Sequence, residues 1–307
     1  MLYLYTAQDA EQLASLLPDA LPGIEVAVWP TQVDRAKVRY IAAWNPPDDF
    51  FAGFPQLEAV FALGAGVDRL VSRTDLPPHV PIIRLVDAGM AQQMSEYVLY
   101  GVLRHQRHFD LYQQQQEHGN WQPLPPKSAH EVRVSVLGLG ALGAEVAKTL
   151  ARFGYAVSGW SRRPKNLPGI DCYHGPEELA LLLARTDVLV GMLPSTPATR
   201  GLLDQQRLSQ LPRGATLINV GRGDQVDEQA LLQLLESGHL RFAQLDVFAN
   251  EPLPAESRLW RRHDVAITPH IAATTLYKPA VTQIANNLQA LLRGEVPAGL
   301  VDRKLAY

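Results

Sequence analysis

The chain has 307 residues, 47% of them hydrophobic, with 28 basic and 31 acidic side chains, a formal charge of −3 and one cysteine. That length exceeds the ~250 to 300 residues at which a single core stops growing, so two domains are expected, and a pI near 6.3 leaves no basic face for nucleic acid or an anionic membrane. Cys172 alone excludes an internal disulfide framework and cannot make a zinc site, so no metal is expected; with no apolar run of ~18 residues and no basic, apolar leader in MLYLYTAQDAEQ, a cytoplasmic protein with no membrane partner is expected.

The first eighty-odd residues alternate short apolar runs with helical or turn segments. Leu2 to Tyr5, Ile24 to Trp29, Val38 to Trp44, Leu57 to Leu63 and Pro81 to Leu85 read as strands, and Ala10 to Leu17 as the clearest helix between them. This predicts a small parallel sheet with helices on both faces, punctuated by Pro46-Pro47 and Pro77-Pro78. Ligands of such sheets bind at the carboxyl ends of the strands, where Trp44-Asn45 and Leu63-Gly64-Ala65-Gly66-Val67-Asp68 fall. Consecutive N–H groups at 64–66 could form a nest for a carboxylate. By itself, that stretch reads first as a turn into a helix starting near Val67.

From about Ala91 to Gln116 the pattern is that of one long helix, with Met94, Val98, Val102, Phe109 and Tyr112 on one face. His105 and His108 within it read as surface residues, and Gln113 to Gln116 as a solvated face. A proline-marked loop, Trp121 to Pro126, leads into VRVSVLGLGALG at 132–143, followed by a helix over Ala144 to Phe153 and a strand over Tyr155 to Trp160. A buried strand, a Gly138-x-Gly140-x-x-Gly143 turn and a helix form the phosphate-binding element of a dinucleotide fold. Gly138 lets the chain reverse, Gly140 lets backbone approach phosphate, and Gly143 lets helix pack on strand. Further strands follow at Val188 to Leu193, Ala215 to Asn219, Phe242 to Val247 and Val265 to Thr268, six in all, with a helix at Asp227 to Leu235. A helix over Thr274 to Leu292 and the stretch Glu295 to Tyr307 return to the first domain, making the second an insertion with a cleft between the two.

Past the last three strands come Val220-Gly221-Arg222-Gly223, Phe248-Ala249-Asn250-Glu251-Pro252 and Pro269-His270-Ile271-Ala272. Taken singly these read as a surface arginine, a loop carboxylate and a satisfied histidine. Together, after a dinucleotide turn, they read as an active site. Arg222 offers a planar fork to a carboxylate or carbonyl, His270 carries a proton at neutral pH, and Glu251 holds that imidazole in one tautomer and favours its charged form.

These residues resemble the D-isomer-specific 2-hydroxyacid dehydrogenases. The likeness is carried by GLGALG at 138–143, LPSTPATRGLLD at 193–204, LINVGRGDQVDEQAL at 217–231, LDVFANEPLP at 245–254, TPHIAA at 268–273 and the segment at 63–68. The resemblance implies an α/β fold of two doubly wound parallel-sheet domains. A Rossmann cofactor domain (90–274) is inserted into a flavodoxin-like substrate domain (1–89 and 275–307). It implies catalysis by Arg222, Glu251 and His270, and a cofactor held along Gly138, Leu139, Gly140, Ala141, Leu142, Gly143, Ser161, Arg162, Arg163, Leu193, Pro194, Val220 and Gly221, with Asp246 near the nicotinamide carboxamide. A 2-oxo acid substrate is expected at Trp44, Gly64, Ala65, Gly66, Arg222 and His270, in a homodimer formed through the cofactor domain.

Two departures sharpen the expectation. Members that use NAD carry an acid after the second cofactor-domain strand, whereas this chain has Ser161-Arg162-Arg163, so NADP is the expected cofactor, with NADPH preferred over NADH. The segment Asp87 to Glu96, with Trp44-Asn45, is similar to the glyoxylate/hydroxypyruvate reductase A branch of the family. The expected reaction is therefore reduction of glyoxylate and hydroxypyruvate. A bulkier 2-oxo acid such as phenylpyruvate, or a regulatory dimer that senses dinucleotide without turnover, are the competing readings.

Overall fold

The alternating apolar runs become two parallel sheets in the structure, a computed structural model that describes residues 1–6 and 10–305. Residues 7–9, Ala306 and Tyr307, which belong to the N-terminal and C-terminal stretches read above, lie outside the described residues. Contacts divide the chain into two units: Met1–Met90 with the chain from Thr275 onward, and Ala91–Thr274.

The first unit contains β1 (Leu2–Tyr5), α1 (Ala10–Ala20), β2 (Val26–Val28), β3 (Tyr40–Ala43), β4 (Ala59–Ala62), α2 (Asp68–Val71) and β5 (Ile82–Ile83). All pairings are parallel, and the order β2-β1-β3-β4-β5 is that of a flavodoxin-like sheet. The expected strands at Ile24 to Trp29 and Pro81 to Leu85 are shorter than their apolar runs. Val38, Ile41, Val60 and Ile82 bury one apolar face against Phe51, Phe54, Leu70 and Leu76. Burying a single such side chain contributes roughly 1.5–3 kcal/mol.

The second unit opens with α3 (Met90–Gln106) and α4 (Phe109–Glu117). The single helix expected over 91–116 is thus broken, at His108, whose φ of 57° is left-handed. Arg241 holds the break. Its Nη2 donates to the carbonyl of His105 at 2.7 Å and its Nε lies 2.7 Å from the Asp110 carboxylate, which is 3% exposed. A helical periodicity carries no sign of a partner 131 residues away. Met94, Val98 and Val102 are buried as expected, whereas Phe109 faces outward.

His105 is not the surface residue its position suggested: it is 4% exposed, with Nδ1 2.9 Å from Thr216 Oγ1. Burial first, and the Arg241 charge second, push its pKa down to about 3. The unfolded chain therefore binds a proton near pH 6.5 that the folded chain refuses. This group's contribution to stability is complete above pH 6.5 and is lost as pH falls towards 3, at up to ~1.4 kcal/mol per pH unit. Denaturant midpoints should fall between pH 7.5 and 5, and less steeply in His105→Gln; an identical fall in both proteins would refute the assignment.

The sheet of this unit comprises β6 (Arg133–Leu137), β7 (Ala156–Ser161), β8 (Asp171–His174), β9 (Val188–Gly191), β10 (Ala215–Asn219), β11 (Leu240–Leu245) and β12 (Val265–Ile267), in the order β12-β11-β10-β9-β6-β7-β8. It has seven strands where six were expected. The addition, β8, is a sheet edge of sequence DCYH, half exposed and without an apolar run to betray it. With β8 as its third strand the sheet has the order 3-2-1-4-5-6 of a dinucleotide domain, with one further strand, β12, beyond β11. Successive residues face opposite sides. Leu137, Leu189 and Leu217 meet Leu182, Leu208 and Leu231, while Val136, Val190 and Ile218 meet Val98, Val146 and Leu150. The helices concerned are α5 (Ala141–Arg152), α6 (Gly175–Leu183), α7 (Gln205–Leu208) and α8 (Glu228–Glu236), the last capped by the Asp227 carboxylate on the N–H groups of Gln229 and Ala230.

The final helix, α9 (Tyr277–Leu292), packs on α1 and is followed by an antiparallel bridge between Leu300 and Ile83, so the chain ends in the unit where it began. Among the described residues no helix is long and apolar enough to cross a membrane.

Candidate active site

β6 ends at the glycine turn. Gly138 has φ +107°, and a Cβ on it would stand 2.7 Å from the Met192 carbonyl oxygen. A Cβ on Gly143 would collide with the carbonyl oxygen of Gly138, whereas at Gly140 nothing lies within 4 Å. Two of the glycines therefore close the turn, and the third leaves open space in front of backbone. α5 starts at Ala141, three residues earlier than its sequence pattern suggested, so the free N–H groups of its first turn begin at this opening. Leu139 is buried under Gly159, leaving only its backbone for a ligand; Ala141 is exposed and Leu142 half-buried.

At the end of β7, Ser161 is the last strand residue and is buried, and its hydroxyl donates to the carbonyl of Arg163 at 2.8 Å. That hydroxyl shapes the turn. Arg162 and Arg163 are exposed, as is Lys165, a third cation not anticipated from the sequence pattern, and no acid occurs among residues 161–165. An anion placed against this segment meets positive charge.

β9 and β10 deliver Arg222. A Cβ on Gly221 would come within 2.8 Å of the Leu193 carbonyl oxygen, and one on Gly223 would collide with the backbone of Phe248. Arg222 is thus held between two backbones that admit only glycine on either side. The buried Asn219 side chain brackets the same turn, donating to the Arg222 carbonyl at 3.1 Å and accepting from Gly221 N–H at 3.3 Å. Gln225 Nε2 donates to the carbonyls of Leu193 (2.6 Å) and Pro194 (3.2 Å), which ties the β9 end to the β10 end. Val220 is buried between them, its N–H donating to the Gly191 carbonyl. Asn219 and Gln225 are not recognisable as site residues from sequence; the runs flanking the arginine are the only signal they carry.

β11 and β12 bring Glu251 and His270 together. Nδ1 of His270 lies 2.9 Å from Glu251 Oε2, while Glu251 Oε1 accepts the Phe248 N–H at 3.0 Å. The histidine is 41% exposed at its side chain, enough to meet a ligand, and its φ of 57° is left-handed. A non-glycine residue there costs about 1–3 kcal/mol unless its surroundings dictate it. Asp246 does so. Its carbonyl accepts the His270 N–H at 2.9 Å, and its carboxylate, 1% exposed in the residue as a whole, accepts from Thr268 Oγ1 (2.6 Å), Ile271 N–H (2.8 Å) and Ala272 N–H (2.9 Å). The expected neighbour of a carboxamide is therefore, first, the clasp of the histidine turn. Glu251 and Arg222 are linked through Phe248, which one binds and the other's glycine touches.

In the first unit, Trp44 at the end of β3 lays its ring over Gly64 so closely that a Cβ there would overlap it. Neither Gly64 nor Gly66 is in the left-handed region, so the alternating conformation of a nest is not formed. Among the described residues, however, no protein acceptor takes the N–H groups of Gly64, Ala65 or Gly66.

Comparison with known proteins adds four findings. Residues 99–272 match the model of the D-isomer specific 2-hydroxyacid dehydrogenase NAD binding domain. The glyoxylate/hydroxypyruvate reductase A of Serratia proteamaculans is 45% identical over 304 residues, 97% of each chain. Among solved structures, a D-isomer specific 2-hydroxyacid dehydrogenase from Xanthobacter autotrophicus in complex with NADPH and MES has a TM-score of 0.96 at 46% identity, covering 100% of this chain and 99% of that one. The NADPH-dependent glyoxylate/hydroxypyruvate reductase of Sinorhizobium meliloti, in complex with NADP and sulfate, has a TM-score of 0.93 at 34% identity, with 100% and 99% covered.

Proposed function

Because this chain belongs to the D-isomer-specific 2-hydroxyacid dehydrogenase family, we propose that it reduces small 2-oxo acids with NADPH, glyoxylate to glycolate and hydroxypyruvate to D-glycerate. The observation that carries the chemistry is the His270–Glu251 pair at 2.9 Å, set at the carboxyl ends of the strands beside the Arg222 turn.

The residues present fit NADPH: an open approach at Gly140, a helix N-terminus behind it, and Arg162 and Arg163 in a segment, 161–165, whose sequence contains no acid. When bound, the cofactor supplies the hydride. The backbone from Gly138 to Gly143 takes the pyrophosphate, Arg162 and Arg163 take the 2′-phosphate, and Leu193, Pro194, Val220 and Gly221 line the approach to the nicotinamide. Arg222 directs its guanidinium at the oxygens of the 2-oxo acid, and the N–H groups of Gly64, Ala65 and Gly66 are assigned the substrate carboxylate, with Trp44 limiting the space above Gly64. Glu251 accepts from Nδ1 of His270, and the second proton of the imidazolium, on Nε2, is the one given to the oxygen as it gains negative charge. Arg222 and the imidazolium stabilise charge that grows only in the transition state, so their effect falls on turnover. A homodimer joined through the second unit is part of this reading, supported by the exposed Tyr100, Phe109 and Trp121 along and after its first helices. So is a cytoplasmic location, supported by the free thiol of Cys172.

The testing experiment is loss of NADPH absorbance with glyoxylate, hydroxypyruvate and phenylpyruvate, repeated with NADH. Rapid oxidation with the first two and strong preference for NADPH are expected; preference for phenylpyruvate would move the substrate, and binding without turnover would remove the enzyme reading. Arg162→Ala with Arg163→Ala should raise the KM for NADPH about 10- to 100-fold, as loss of charge-assisted bonds to a phosphate does, and barely change that for NADH. An equal loss with both cofactors would refute the 2′-phosphate assignment.

A further inference from the structure

The His270 turn is held from an unexpected side. Thr268 has one hydroxyl proton, which it donates to Asp246 Oδ1 at 2.6 Å. The remaining short contact of that hydroxyl, 2.6 Å to Tyr97 Oη, must then be a bond that Tyr97 donates. Tyr97 belongs to α3, and its carbonyl is fixed in turn by Gln244 Nε2 of β11 at 3.2 Å. A directed chain thus runs from the tyrosine hydroxyl to the threonine hydroxyl to the carboxylate, and the carboxylate receives Ile271 and Ala272 N–H while the same residue's carbonyl receives that of His270.

We propose that Tyr97 is a positioning residue for the proton donor: its hydroxyl orients Thr268, and through Thr268 the Asp246 clasp that keeps His270 in its left-handed conformation facing Glu251. The inference rests on His270 being the proton donor. Tyr97 reaches the chemistry only through others and is assigned no contact with a reacting atom or with the cofactor. Burial, the largest influence on it, pushes the Tyr97 hydroxyl up to about 12, so it remains a donor at any working pH. Without that donor the threonine hydroxyl is held by its bond to Asp246 alone, and a strained backbone whose partners are loosened relaxes.

The test compares Tyr97→Phe, Thr268→Val and Thr268→Ser with the intact enzyme, using NADPH and glyoxylate. Tyr97→Phe keeps the ring and its packing. It should lower kcat about tenfold, the effect of one lost hydrogen bond in a charged network, with the KM for NADPH and for glyoxylate within about twofold. Thr268→Val should do the same, Thr268→Ser should recover most of that loss, and Tyr97→Phe added to Thr268→Val should cost little more, because both break one chain. His270→Gln separates the donor role from the positioning role. If it keeps turnover, the donor assignment falls and this inference with it. If it abolishes turnover while Tyr97→Phe keeps kcat, or loses activity only through the KM for NADPH, the positioning role alone is overturned.

Discussion

Replacing His270 with alanine is expected to lower kcat at least ~100-fold, the range for a lost general acid, with NADPH still bound. The imidazole is the one titratable ring at the junction of β11 and β12 that pairs with a carboxylate, and no neighbouring side chain in that turn can supply a proton in its place. Ile271 and Ala272 follow it, and Pro269 precedes it. Asp246 is engaged by three donors and lies out of reach of solvent. Since the side chain is not part of the glycine turn or the arginine pair, a fluorescence titration with NADPH should give a dissociation constant within a few-fold of the parent protein. Turnover near the parent value would remove His270 from the mechanism.

The second large effect is expected at Arg222. Arg222→Lys keeps a positive charge but loses the planar fork, and should lower kcat/KM for a 2-oxo acid by about 10²–10³, equivalent to ~2.7–4 kcal/mol of transition-state stabilisation. The backbone supplies the reason that a lysine cannot compensate. The turn is pinned by Gly221 against Leu193, by Gly223 against Phe248 and by the Asn219 amide, so it cannot shift to bring a differently shaped cation to the same place. Steady-state kinetics with glyoxylate decide the matter: a lysine variant within tenfold of the parent would mean that charge alone suffices and that bidentate recognition is not used.

Much of the architecture is legible in the sequence because it depends on residues for which no alternative exists. Only glycine fits at Gly138 and Gly143, so their spacing, set between an apolar strand run and a helical pattern, marks the turn. Parallel strands buried on both faces appear as uninterrupted apolar runs, and the ends of those runs locate Arg222, Glu251 and His270 near one another although the last two are 19 residues apart. What stays hidden has a common physical cause. The β8 edge strand is too polar to stand out, and the break between α3 and α4 depends on Arg241, far along the chain. His105 passes for a surface residue because a helix periodicity cannot tell a polar face that meets water from one that meets Thr216. Tyr97 and Thr268 are separated by 171 residues, and neither carries a motif. Ser161 is expected among the cofactor's ligands by residue type, and its sequence gives no sign that its hydroxyl also donates to the Arg163 carbonyl of its own turn.

The close approaches between glycines and neighbouring backbones have a consequence for how this enzyme could change its substrate. Gly138 meets Met192, Gly221 meets Leu193 and Gly223 meets Phe248, and each contact joins strands adjacent in the sheet. The carboxyl ends of β6, β9, β10 and β11 behave as one casting in which no loop has room to be rebuilt alone. Alterations to specificity made by lengthening or reshaping these loops would disturb cofactor and arginine together. A change at Trp44, in the other unit, touches none of those contacts, so under the substrate role proposed for Trp44 the range is expected to be alterable there one residue at a time.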